Sequence, residues 1–132
     1  MTVFEFEHLL VEVDKAESLI QIRPRRVLTI DEVNDFRKGF LAEAGCRLIL
    51  WDLRESDLSE VSGDDALRFS QGNTEVPVGT RLAFVVPRPV DYGVSRMIST
   101  RMEIAGTNST IGQFYDIEEA INWLKQPQTD LE

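Results

Sequence analysis

The segment Arg47-Leu48-Ile49-Leu50-Trp51-Asp52-Leu53 restricts the fold more than any other part of the chain. Its apolar residues run unbroken to an aspartate, and a largely polar stretch leads on to Ser62. A strand wetted on one face alternates apolar and polar residues. An unbroken apolar run belongs instead to a strand covered on both faces, the usual state of a central parallel strand. Parallel neighbours need crossover connections, so helices must lie over the sheet. In open α/β sheets, ligands and partners dock at the loops beyond the carboxyl ends of such strands. The expected working face therefore starts at Asp52.

The rest of the chain agrees with that start. Phe4, Phe6, His8 and Leu10 alternate with Leu9, Val11 and Val13 across a register change near His8. After a turn at Asp14–Ser18 the strand pattern resumes in Leu19-Ile20-Gln21-Ile22-Arg23, so the two runs read as a hairpin that Pro24 ends. Thr29-Ile30-Asp31-Glu32 is a capping box, followed by Val33, Phe36, Phe40, Leu41 and Ala44 at helical spacing and by Gly45 as a left-handed stop. Ser62 is placed to cap a short helix carrying Ala66, Leu67 and Phe69, with Gly72-Asn73 as its break. A second apolar strand, Arg81 to Val86, closes at Pro87 and Pro89. Asp91 is expected to cap a helix with the apolar stripe Val94, Met97, Ile98, Met102 and Ala105, stopped by Gly106. Thr110–Tyr115 is a last strand weakened by Gly112, and Asp116 caps a final helix with Ile117, Ala120, Ile121 and Leu124 inward. The expected order is ββαβαβαβα: an α/β fold with a mixed, largely parallel sheet and helices packed on it. Residues 1–125 read as one domain and 126–132 as a flexible polar tail.

Composition limits function. At 132 residues the chain suits one domain, and its formal net charge of −9 opposes nucleic acid and anionic membrane surfaces as partners. A single cysteine, Cys46, excludes an internal disulfide and a paired-thiol metal site, and its place before an apolar strand suits a small buried hydrophobe. One histidine, His8, on an alternating strand builds no nucleophile–base set, and the carboxylates are too scattered to suggest a metal. No cofactor motif is present, no apolar run approaches a membrane span, and the amino-terminal residues lack a signal-peptide core, so a cytoplasmic location is expected. Arg23-Pro24-Arg25-Arg26 stands out in an acidic chain; its forks suit an anion or acidic partner, while internal pairing with the surplus carboxylates is the simpler reading.

Four stretches taken in order carry a family resemblance: Val27–Val33, Leu50-Trp51-Asp52-Leu53, Asp91-Tyr92-Gly93-Val94-Ser95-Arg96-Met97, and Tyr115–Leu124. The chain resembles the STAS group, the sulfate-transporter and anti-sigma-factor-antagonist domains, and within it the SpoIIAA-like branch of bacterial proteins. The resemblance implies a small α/β domain without catalytic activity that regulates through protein–protein contact. It also implies a partner face at Asp52, Asp57, Ser59, Ser62 and Asp64. In the sporulation antagonists a serine at the start of the helix after the central strand is phosphorylated. This chain keeps Asp57-Leu58-Ser59, but Gly63 and Asp64 stand where the acceptor serines belong. A rival reading is a carrier or sensor of an apolar, lipid-like ligand. It follows from the kinship of such domains to lipid-carrying folds such as CRAL-TRIO, with Met97 and Met102 lining a pocket between helix and sheet and Tyr92 and Arg96 anchoring a headgroup.

Overall fold

The computed structural model describes residues 2–26, 28–56, 62, 64, 65, 68, 79–104 and 109–126. They form a six-stranded sheet whose spatial order follows the chain: β1 (Thr2–Glu5), β2 (Leu9–Asp14), β3 (Leu19–Pro24), β4 (Leu48–Asp52), β5 (Thr80–Val85) and β6 (Ser109–Phe114). The first three strands pair antiparallel, and β3 to β6 run parallel. Helix α1 (Ile30–Phe36) passes through a π-helical turn (Arg37–Leu41) into the short α2 (Ala42–Ala44); α3 (Pro89–Ile104) and α4 (Ile117–Lys125) follow β5 and β6. Among the described residues no helix is long and apolar enough to cross a membrane.

Because the parallel strands step one way across the sheet, right-handed crossovers must put α1 and α3 on the same face. They share one core there: Phe36, Leu41 and Ile98 lie against Val11, Ile22, Trp51 and Phe84. Helix α4 covers the opposite face, where Ala120 and Leu124 meet Leu50, Ala83 and Val85. This two-sided cover is what the unbroken apolar runs of β4 and β5 require. The half of the α4 face formed by β2 and β3 carries Leu10, Glu12, Gln21 and Arg23, each only partly buried. Their antiparallel strands alternate in the way that one wet face demands.

Local signals set the helix ends. Thr29 Oγ1 accepts from the Glu32 amide at 3.1 Å while Glu32 Oε1 accepts from the Thr29 amide at 2.8 Å. Gly45 ends α2 at φ +64, a left-handed conformation that other residues reach only at a cost. Asp116 Oδ2 caps α4 by accepting from the Glu119 amide at 3.1 Å. The glycine within β6 answers a close approach: a Cβ on Gly112 would lie 2.9 Å from the Phe114 ring and 3.3 Å from Trp123.

Three details correct the sequence reading. The alternating segment from Phe4 to Val13 is two strands rather than one, folded back at Phe6–His8 where the Phe6 amide bonds to the Leu9 carbonyl at 2.9 Å. No glycine or proline marks that turn; its one sequence signal is the register change near His8. Asp91 does not cap α3; the helix begins at Pro89, whose missing N–H suits a first turn, and Asp91 sits within that turn. Nor is the inner face of α3 purely apolar, although Val94, Met97 and Ile98 pack on the first core as expected. Asp91, Ser95 and Ser99 are fully buried with Ile98, whereas Val94 and Met97 are half-buried.

Cys46 is buried, as its position before β4 suggests, and burial pushes its thiol above the ordinary range. Thiolate is the reactive form. Ellman's reagent is therefore expected to label the native protein far more slowly than the urea-unfolded chain at pH 8; equal rates would mean the thiol is open to solvent.

Candidate functional site

Asp52 ends the central strand on the face that α4 covers, since Leu48, Leu50 and Asp52 alternate with Ile49 and Trp51. Only 3 % of its surface is exposed. The β3–β4 register pairs Ile22 with Trp51, so Arg23 arrives beside Asp52 on the adjoining strand. Arg23 Nε donates to Oδ2 at 3.2 Å. Arg54 wraps back from two residues on: its amide reaches Oδ1 at 3.2 Å, Nε reaches Oδ1 at 2.8 Å and Nη2 reaches Oδ2 at 2.8 Å. Burial pushes the carboxyl pKa up, but the hydrogen bonds from the Arg54 side chain and amide, its charge and the Arg23 bond outweigh burial and hold it below the ordinary range. The acid is fully engaged and ionised. Beside it a dent of about 30 Å³, lined by Leu10, Glu12, Gln21 and Arg23, has the space of about one water molecule.

The pairing continues outward. Glu55 Oε2 lies 3.7 Å from Arg23 Nε. Ser56, buried, donates through Oγ to the Arg26 carbonyl at 3.2 Å, tying the loop start to the segment before α1. Arg26 grips Glu32 in a fork at 3.1 and 2.7 Å. That guanidinium, with the Thr29 amide, lowers the Glu32 carboxyl to about 2. One residue before Glu32, Asp31 receives Arg68 Nη2 at 2.7 Å. Three groups of arginine–carboxylate pairs thus form a belt from Asp52 past the start of α1 to Arg68, joined by the Ser56 bond to the Arg26 carbonyl and by the adjacency of Asp31 and Glu32. Its four arginine side chains, Arg23, Arg54, Arg26 and Arg68, remain 40–45 % exposed while a carboxylate holds each guanidinium.

Of the residues expected to form a partner face, Asp52, Ser62 and Asp64 are placed, whereas Asp57 and Ser59 lie outside the described residues. Ser62 Oγ accepts from the Asp65 amide at 3.0 Å and Asp65 Oδ2 accepts from the Ser62 amide at 3.4 Å, so the serine is a helix cap. Asp64 is helical and exposed just beyond it, whereas Ala66, Leu67, Phe69, Gly72 and Asn73 lie outside the described residues. Among the described residues no hydrogen bond or ion pair joins Ser62 or Asp64 to Asp52.

Three residues of the rival pocket, Tyr92, Arg96 and Met97, are described. Tyr92 stacks on Tyr115 with ring centroids 5.1 Å apart, Arg96 is exposed, and Met97 packs half-buried on the first core. The side chain of Met102, and Ala105 and Gly106, lie outside the described residues. Beside the apolar contacts of Ile98, Val94 and Met97, α3 makes polar ones: Arg88 clasps Asp91 at 2.7 and 2.9 Å, Ser95 Oγ donates to the Tyr92 carbonyl at 2.9 Å, Ser99 Oγ to the Ser95 carbonyl at 3.0 Å, and Gln113 Nε2 to Ser99 Oγ. Sequence reasoning missed this row, whose only signal is the spacing of Asp91, Ser95 and Ser99 four residues apart. Arg25 lies 4.0 Å from Glu5, and His8 lies 3.4 Å from Glu7. Among the described residues no three His, Cys, Asp or Glu groups cluster as metal ligands. Comparison with known proteins returns no match: no family model, no curated protein and no solved structure aligns with the chain.

Proposed function

We propose that this protein is a non-catalytic, STAS-like binding and regulatory module that engages another protein through the belt running from Asp52 to Arg68. The observation that carries this reading is the use made of Asp52. At the position where α/β sheets place ligands, the acid is buried, ionised and bound by two arginines, which leaves it no room to act as a base and makes it a brace for outward guanidiniums. Arginine presented in this way suits a protein partner: it pairs with carboxylates and carbonyls through several donors, and it is enriched where interfaces concentrate their energy. Because each guanidinium already has a carboxylate, the belt is close to neutral, and it favours a mixed-charge protein surface over a polyanion.

The carrier reading has less support. A pocket for an apolar ligand is lined mostly by hydrophobic side chains, whereas the described part of α3 buries Asp91, held by Arg88, and Ser95 and Ser99, with Gln113 donating to Ser99.

Affinity capture from the native host tests the proposal. Glu55→Arg and Arg68→Glu reverse charge at exposed positions of the belt, and Glu43→Arg does so on α2, away from it. Wild type and Glu43→Arg are expected to recover the same partner and the two belt variants to lose it by tenfold or more, a deficit of about 1.4 kcal/mol or greater. Recovery of one partner set by all four proteins would count against the belt.

A further inference from the structure

A second polar surface lies at the opposite, amino end of the parallel strands. Glu17, Arg47, Leu48, Gly79, Arg81, Leu124, Lys125 and Gln126 enclose an open basin of about 290 Å³ there, at the lower bound of small-molecule sites, which span roughly 300–1,000 Å³. Among the described residues three cations face one carboxylate in this basin, the reverse of the balance in a chain with net charge −9.

Each cation is placed by the fold. The Arg47 backbone is clamped from both sides: its amide donates to Ser18 Oγ at 3.0 Å and its carbonyl accepts from the Arg81 amide at 2.8 Å. Its guanidinium makes no hydrogen bond or ion pair among the described residues and reaches to about 3.9 Å from the space a Cβ on Gly79 would fill. Arg81 lies over the Trp123 ring at 4.6 Å and gives Nη1 to the carbonyls of Leu124 and Gln126 at 3.4 and 2.7 Å. This neutralises the negative end of α4, which would otherwise repel an anion. Arg81 Nε is buried without a hydrogen-bond partner. Lys125 Nζ stands 4.0 Å from Glu17, at the outer limit of an ion pair. Among the described residues the basin therefore holds more positive charge than its carboxylate balances, with the Arg47 guanidinium open to a ligand.

We propose that this amino-end basin binds a small dianionic oxyanion, of the phosphate-ester or dicarboxylate class, with the Arg47 fork as its principal contact and Arg81 and Lys125 as supporting charges. Guanidinium forks match both kinds of oxyanion through paired donors. The site is remote from the belt around Asp52, so it stands or falls separately from the proposed function.

Amide-resolved NMR titration of the whole chain provides the test, with inorganic phosphate, succinate and sodium chloride added at matched ionic strength. Saturable shifts are expected at Arg47, Gly79, Arg81, Lys125 and Gln126 with phosphate or succinate and not with chloride, and the tighter of the two identifies the class. Arg47→Ala, at an exposed side chain, is expected to weaken that binding at least tenfold, and Arg96→Ala on α3 to leave it unchanged. Shifts that chloride reproduces, or binding that survives Arg47→Ala intact, would overturn the proposal.

Discussion

Asp52→Asn is expected to lower the stability of the fold by about 2–3 kcal/mol at pH 7 and by much less at pH 2–3. The substitution keeps the shape but turns half of an acceptor into a donor facing Arg23 and Arg54, both of which donate to it. The cost falls below the 3–5 kcal/mol of a fully buried pair because the arginine side chains are 42 and 40 % exposed and can regain water. The sign of the pH effect follows from the direction of the shift. The folded carboxyl titrates below its ordinary value, so its stabilisation is complete above the unfolded-state pKa of about 3.9 and is lost as pH falls through the lower folded value. Urea titrations of both proteins at pH 7 and pH 2.5 measure this, and a difference that stays constant would mean that Asp52 contributes no ionic bracing.

Leu50→Ala is expected to cost about 2–5 kcal/mol, more than any exposed substitution. Leu50 is wholly buried in the smaller core beneath α4, alongside Leu19, Ala83, Val85, Ala120 and Leu124. Among the described residues α4 alone supplies the other wall of this core. Because β4 is hydrogen-bonded to strands on both sides, the backbone cannot close the cavity. Hydrogen exchange should accelerate across Ile117–Lys125 in the variant, since α4 loses its central contact, while amides of β2 and β3 change less. Phe4→Ala removes a larger side chain from the opposite face but one already 37 % exposed, and should cost less. A loss below 1 kcal/mol for Leu50→Ala would mean that α4 is not held by this core.

The features legible in the sequence were those written over a few adjacent residues. Thr29 with Glu32, Gly45 and Asp116 each state a helix end within one turn of chain, and the unbroken apolar runs of β4 and β5 state two-sided burial. Asp52 could be picked out because it interrupts such a run at its carboxyl end. Its pairing with Arg23 could not, because it depends on the β3–β4 register across 29 residues. The belt has the same origin: Arg26 with Glu32 is nearly local, but Arg68 with Asp31 spans 37 residues. The arginine cluster at 23–26 hinted at internal pairing without naming the acids. The polar underside of α3 and the π-helical turn that buries Arg37 were hidden for another reason. Helical periodicity ranks positions by hydrophobicity, so it overlooks small polar residues satisfied inside the fold.

A photo-reactive amino acid placed at Glu55 tests the belt most directly, because it reports contact in the living host without a prior choice of partner. Glu55 is 55 % exposed beside Arg23, and a second probe at exposed Glu43 on α2 serves as the reference. The account predicts that irradiation joins the Glu55 probe to one discrete protein, and that Arg68→Glu in the same chain removes the adduct while the Glu43 probe forms none. The same adduct from both positions, or one from Glu43 alone, would contradict the claim that this protein works through the carboxyl-end face of its sheet.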